Sequence, residues 1–251
     1  MASTNGERGT QAAASAAVPI KAITPRAPIA AAPERPSHLP HGRWLGDFEP
    51  LSEAERTLVA NCARGIATVL SDKRPEEAND KNRIRAELFR FLVLGGDRQT
   101  PVHEGGINLT GAWLDNSLNL KACKIEFPLS LLRCHINDSV ILFDAHLDQL
   151  ILNGSRIETI LADRLIVEGG IFLRDGFATN GEVRLNGATV GGDLSCTGGR
   201  FDNPNGHALL GDGMIIKGDI NLRQKLSCER PSSAARSQYR RRSELFGWTV
   251  R

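Results

Sequence analysis

Ile107-Asn-Leu-Thr-Gly-Ala-Trp-Leu114, Leu118-Asn-Leu-Lys-Ala-Cys-Lys-Ile125, Leu129-Ser-Leu-Leu-Arg-Cys-His-Ile136 and Val140-Ile-Leu-Phe-Asp-Ala-His-Leu147 are one figure written four times. Each holds a large apolar residue, another two positions on, a short gap, then a small and a large residue two apart. The figure recurs every eleven residues here and slips to ten or twelve further on, as far as Gln224.

Residues two apart share one face of a strand, because successive side chains point to opposite sides. The step of three from Leu109 to Ala112 would turn a straight strand's second pair outward, so a corner must intervene at Thr110-Gly111. A second corner falls at Asp115-Asn116-Ser117. Two sides per eleven residues make a four-sided coil in about twenty-two, which stacks Ala112 under Cys134, Cys123 under Ala145 and Leu109 under Leu131. A single coil cannot bury its own apolar edge, so neighbouring coils must cover it. The expected core runs through Leu109, Leu120, Leu131, Leu142, Leu152, Ala112, Cys123, Cys134 and Ala145. Gly105-Gly106, Asn153-Gly154, Gly169-Gly170, Asn186-Gly187, Gly191-Gly192 and Gly198-Gly199 punctuate the corners, where glycine and asparagine tolerate a left-handed backbone. A longer echo sets the register. Residues 160–175 and 209–224 share Asp163/Asp212, Gly169/Gly218 and Arg174/Arg223 at matching positions.

Ala112-Trp-Leu114, Ala145-His-Leu147 and Ala188-Thr-Val190 carry a resemblance to the pentapeptide-repeat family of right-handed quadrilateral β-solenoids. The spacing runs five-six rather than a strict five. The arginine-rich lead-in Ile84-Arg-Ala-Glu-Leu-Phe-Arg-Phe-Leu-Val-Leu-Gly-Gly-Asp97, followed by Pro101-Val-His-Glu-Gly-Gly-Ile-Asn-Leu109, is similar to a divergent bacterial group of such proteins. Relatives in that group sometimes bear a membrane-associated oxidoreductase label. The resemblance spans roughly residues 50–224 and implies fold far more than activity.

Composition agrees with a corner-rich repeat. There are 25 glycines, and only 5% of residues are aromatic. A net charge of +2 gives no reason to expect nucleic acid or an acidic membrane as partner. No apolar run approaches the length of a membrane span, the densest being Leu88 to Leu94. Five cysteines lack paired spacing, and Cys123 and Cys134, eleven apart on different sides, read as small core residues rather than a disulfide, which fits a reducing cytoplasm, with peripheral membrane association or secretion as alternatives.

Residues 1–46, rich in Ala, Pro and Ser with only Glu7 and Glu34 acidic, read as a disordered tail. A transit peptide or secretion signal is the alternative. Residues 47–97 read as a helical cap. Ser52-Glu-Ala-Glu55 has the form of a capping box, Gly65 is a stop, and Ile66 to Leu70 is a possible continuation. Lys73 to Glu77 reads as a polar linker. A second helix is predicted from Asn79 or Asp80 with the apolar stripe Ile84, Leu88, Phe91, Leu92, ending at Gly95-Gly96. The cap would hide the strand edges of the first coil. The solenoid itself spans 104–224. Residues 225–251, with Arg236 and Arg240 to Arg242, break the register and read either as a basic disordered tail or as the mark of a truncated or frame-shifted relative of a longer protein.

Chemistry is nearly silent. No G-x-G-x-x-G joins a strand to a helix, and Gly213 and Gly218 have phosphate-loop spacing but Asp219 stands where the lysine belongs. His135 and His146 lie between inward residues on different sides, so both point outward and cannot share an ion; each reads as a solvated surface histidine. His103-Glu104 reads as junction packing or solvent. Asp163, Asp175, Asp193, Asp212 and Asp219 fall at corners, where aspartate bonds its own backbone. Residues 104–224 carry 15 acidic and 10 basic residues, too mixed for a ladder that imitates DNA. Trp113, Phe143 and Phe172 are outward and form the expected interaction surface.

The expected fold is mainly β, a right-handed parallel β-solenoid of about five to six coils, roughly 25 Å long at ~4.8 Å per coil, with an N-terminal helical cap. The expected function is that of a non-enzymatic rigid binding or scaffold module with no catalytic residue, cofactor or metal. Its partner would be a protein or a second copy meeting the solenoid ends. An oxidoreductase or polysaccharide-acting enzyme is the alternative, and a DNA-mimic binder of a nucleic-acid enzyme the second alternative.

Overall fold

Leu109 lies beside Leu131, and the amide of His135 donates to the carbonyl of Ala112 at 2.8 Å, so the stacking read from the repeat is physical. The computed structural model describes residues 42–204, 206–222 and 246–247. All pairing between named strands is parallel, and it sorts the chain into four sides visited in turn. The first side carries Ile107–Thr110, Leu129–Leu132, Leu150–Ile151, Ile171–Phe172, Leu194–Ser195 and Ile220–Asn221. The second carries Trp113–Asp115, Ala178–Thr179, Arg200–Phe201 and the opening residues of His135–Ile141 and Arg156–Leu161. Those two longer strands run on through the corner into the third side, beside Leu118–Asn119, Val183–Arg184 and Leu209–Leu210. The fourth side carries Lys124–Ile125, His146–Leu147, Ile166–Val167, Thr189–Val190 and Ile215–Ile216.

The result is a parallel β-solenoid of about five turns. Registers on the first side step by 22, 21, 21, 23 and 26 residues from Ile107 through Leu129, Leu150, Ile171 and Leu194 to Ile220. The widest step contains the loop around Asp202 to His207. The echo between 160–175 and 209–224 is two coils of offset, with Ile166 and Ile215 both beside Thr189.

Every residue of the expected core is buried, Cys123 the most exposed of them at 9%. Burying a leucine contributes roughly 1.5–3 kcal/mol, and each coil places several on the axis. Two corners take a left-handed turn in each of the five coils whatever the residue. Gly111, Arg133, Gly154, Asp175 and Gly198 occupy one corner column, and Ala122, Asp144, Arg164, Gly187 and Gly213 the other, all at φ between 48° and 74°. The amide ladder between coils holds the non-glycine members there: Arg133 donates to Asn153 and Asp144 to Asp163. At the corner that closes each later coil, at Gly169-Gly170, Gly191-Gly192 and Gly218, glycine serves a different need. A side chain at Gly191 would collide with the carbonyl oxygen of Glu168 in the coil before it.

The cap is part helix and part extra coil. Helix α1 (Glu53–Cys62) opens on the expected capping box, with Ser52 Oγ accepting from the Glu55 amide and Glu55 Oε2 accepting from the Ser52 amide. Ile66 to Leu70 does not continue the helix. Strand β1 (Thr68–Val69) pairs with Leu109–Thr110 and starts the first side. The second helix, α2 (Ala86–Val93), begins later than its apolar stripe predicts, because strand β2 (Arg83–Arg85) pairs with Trp113–Asp115 and takes Ile84 into the sheet. Residues 79–82 form a turn braced by Asn82, whose Oδ1 accepts from the Asn79 amide at 2.8 Å. Helix α2 packs on Leu118–Asn119 and ends where Gly95 and Gly96 take positive φ. Three of the four edges of the first coil are thus covered by β1, β2 and α2.

Residues 42–46, read from composition as tail, belong to the cap: Trp44 is buried, Leu45–Phe48 is a 3-10 turn, and the Leu45 amide donates to Asp97 Oδ2 at 2.9 Å. The rest of the N-terminal tail lies outside the described residues. So does the C-terminal tail except Phe246–Gly247, which pairs with Leu209–Leu210 on the third side.

Candidate functional site

The corner geometry decides where each outward residue stands. Trp113 is on the second side, Phe143 at the corner between third and fourth, and Phe172 on the first. They form no common patch, and each is half-buried with a neighbour on its ring. His135 stacks on Trp113 with ring centroids 4.0 Å apart, Arg184 sits over Phe143, and Arg174 lies 4.6 Å above Phe172. Alternation within a strand shows that a residue points outward but not what the neighbouring coil lays upon it.

A different outward column is open. Lys124, His146, Ile166, Thr189 and Ile215 run in register along the fourth side. Ile166 is 43% exposed and Ile215 54%, both far above the inward isoleucines of the same solenoid. His146 Nε2 stands 2.7 Å from Glu168 Oε1, which pins one polar rim of the column.

Where α1 meets the first coil, a cleft of about 550 Å³ is lined by Ser52, Glu55, Arg56, Arg83, Arg85 and Asp115, among others. Its charges are mutually engaged. Glu55 is 2% exposed and accepts from the Arg85 amide, from Arg85 Nε at 2.8 Å and from Arg85 Nη2 at 2.7 Å. Burial pushes the Glu55 carboxyl up, but the Arg85 guanidinium and the Ser52 and Arg85 amides together outweigh it and hold the carboxyl below its ordinary value. The same guanidinium donates to the carbonyl of Phe48 at 2.6 Å, and Arg83 pairs with Asp115 at 2.8 Å. The Glu55–Arg85 pair thus clasps α1 and the Phe48 turn to β2 within the cap, and Arg83–Asp115 joins β2 to the first coil.

The expected polar linker is a strap. The Leu70 amide donates to the Thr110 carbonyl, Ser71 packs against Gly111, and Arg74 Nη1 reaches the carbonyls of Gly154 and Gly176 at 3.0 and 3.2 Å. A second cleft of about 300 Å³ lies between the strap and the second side, lined by Arg74, Pro75, Glu76, His135 and Arg156. His135 is therefore not a free surface histidine. Its Nδ1 stands 3.3 Å from the Pro75 carbonyl, and burial depresses its pKa, with Arg156 and Arg74 adding to the effect against the Pro75 hydrogen bond. His103 takes the junction role expected of it: its ring packs on Gly65, and its amide donates to the Cys62 carbonyl.

Among the described residues no group of three His, Cys, Asp or Glu side chains converges to hold a metal, and no helix is long and apolar enough to cross a membrane. Cys62, Cys123, Cys134 and Cys196 are free and buried, and burial pushes the thiols of Cys62, Cys134 and Cys196 up to about 12. At the far end of the solenoid, Ile216 and Leu222 are half-buried and Ile220 is 39% exposed. Compared with protein-family models, with curated proteins and with solved structures, the chain matches none at a significant level.

Proposed function

We propose that the protein is a non-enzymatic binding module, a rigid solenoid that presents its fourth side to a protein partner. The observation that carries this reading is the exposure of Ile166 and Ile215 in one register column. A parallel sheet stacked on a close-packed core has little freedom to rearrange, so a partner would meet a preformed surface. Apolar residues flanked by polar ones suit the centre of a protein contact. The four-sided coil with Ala112, Ala145 and Ala188 inside supports kinship with pentapeptide-repeat proteins, and the free buried thiols fit a reducing compartment.

The test is site-specific photo-crosslinking in the native cells. A benzophenone side chain placed at Ile166 or Ile215 is expected to give discrete heavier adducts, while the same group at Arg200 on the second side gives none. Equal labelling from both positions, or no adduct from the fourth side, would remove the proposal.

A further inference from the structure

Outward on the second side stand Arg83, Trp113, His135, Arg156, Ala178 and Arg200, one per coil. Two of the three arginines in this column are each paired with a carboxylate. Arg83 pairs with Asp115 at 2.8 Å, and Arg200 pairs with Asp202 at 2.7 Å. Glu158 follows Arg156 at the spacing that Asp202 keeps from Arg200, yet the Arg156 guanidinium has no carboxylate partner among the described residues. Arg156 is also the arginine that lines the strap cleft. Facing it is Arg74, a cation that the fold holds in place through two backbone carbonyls taken from successive coils. Their charges repel across the cleft. His135 completes the lining, fixed by Trp113 on its face and by the Pro75 carbonyl near Nδ1. Two acids stand near: Glu76 on the rim, which acts on Arg74, and Glu158, which acts on His135.

Like charges held close together are stabilised by an anion placed between them. Arginine is the residue best shaped for this, since its planar fork donates two parallel hydrogen bonds to a tetrahedral or planar oxyanion. The cleft, at about 300 Å³, exceeds what a bare ion fills and leaves room for an ester substituent. We propose that this cleft is an oxyanion site in which Arg74 and Arg156 receive a phosphate or phosphate-monoester group, with His135 forming part of its wall. It lies on a different side of the solenoid from the isoleucine column and does not depend on that reading.

The experiment uses the full chain at constant ionic strength, titrated with inorganic phosphate and separately with phenyl phosphate, with chloride as the control anion. Binding is read by calorimetry and by the indole Nε1–H resonance of Trp113, whose ring stacks on His135. Saturable binding that shifts this resonance is expected from phosphate, from phenyl phosphate or from both. Equal affinities would identify the free ion as sufficient, and tighter phenyl phosphate would identify the monoester. Arg156→Gln should weaken binding about tenfold, the loss of one charge-assisted pair. Arg200→Gln, which removes an already paired arginine of the same column, should leave it unchanged. Each substituted side chain is exposed, and circular dichroism would verify that both variants fold. No saturable binding of either compound, or equal weakening by the two substitutions, overturns the proposal.

Discussion

Replacing Glu55 by glutamine removes one charge from a site that is 2% exposed and leaves the shape almost intact. The wild-type carboxylate accepts four hydrogen bonds, from the Ser52 and Arg85 amides and from Nε and Nη2 of Arg85. The glutamine amide can accept at only one atom, and its NH2 then faces a donor. Breaking a buried ion pair costs ~3–5 kcal/mol. The lower end applies, because the Arg85 side chain is 36% exposed and keeps its bonds to the Phe48 and Pro50 carbonyls. A loss of about 3 kcal/mol in unfolding free energy at pH 7 is therefore expected, read by urea denaturation followed by tryptophan fluorescence. The pH dependence has a definite sign. A carboxyl whose folded pKa is depressed contributes stability above its unfolded value, near 4.3, and loses it as pH falls through the folded value. The gap between wild type and Glu55→Gln should stay level from pH 7 to about 5 and close in more acidic solution. A gap under about 0.5 kcal/mol at pH 7, typical of an exposed pair, or one that widens with acid, would refute the clasp.

Three further outcomes are expected. Leu131→Ala, at a fully buried position on the solenoid axis, should cost on the order of 2–5 kcal/mol by denaturant titration, whereas Ile166→Ala on the exposed side should cost under about 1 kcal/mol. Ser155→Ala should cost about 1–3 kcal/mol, because Ser155 Oγ accepts from the Cys134 amide and donates to the Leu131 carbonyl, both at 2.9 Å, in a fully buried place; a neutral melting curve would show that the coils close this gap by themselves. Cys62, Cys134 and Cys196 should resist iodoacetamide at pH 8 in the native chain and react in urea, with labelling mapped by peptide mass spectrometry.

Departures from the sequence reading cluster at the cap. The stripe of Ile84, Leu88, Phe91 and Leu92 has helical spacing, yet Ile84 joins the sheet through β2. Local periodicity cannot distinguish a helix start from a strand that happens to precede one when an open edge such as Trp113–Asp115 is waiting for it. The left-handed corners at Ala122, Arg133 and Arg164 were invisible for a similar reason, since only the ladder between coils imposes that conformation on residues that do not favour it. Ser155 and Phe177 fill the small-residue slot of the figure, stacked above Ala112 and Cys134, with a polar and a large side chain, because the neighbouring coils rather than the residue itself decide what fits.

Sequence alone determined the four-sided coil, its register and its inward residues, since two-apart spacing and corner punctuation are local properties repeated often enough to leave one arrangement. Tertiary structure alone decided which outward residues are exposed. Trp113, Phe143 and Phe172 are half-buried, each with a histidine or an arginine against its ring, while Ile166 and Ile215 are exposed. It also decided where the strap lies, because Arg74 finds its acceptors at Gly154 and Gly176, 80 and 102 residues along the chain. Contacts between coils depend on what stacks above and below, and that information is spread over the whole solenoid.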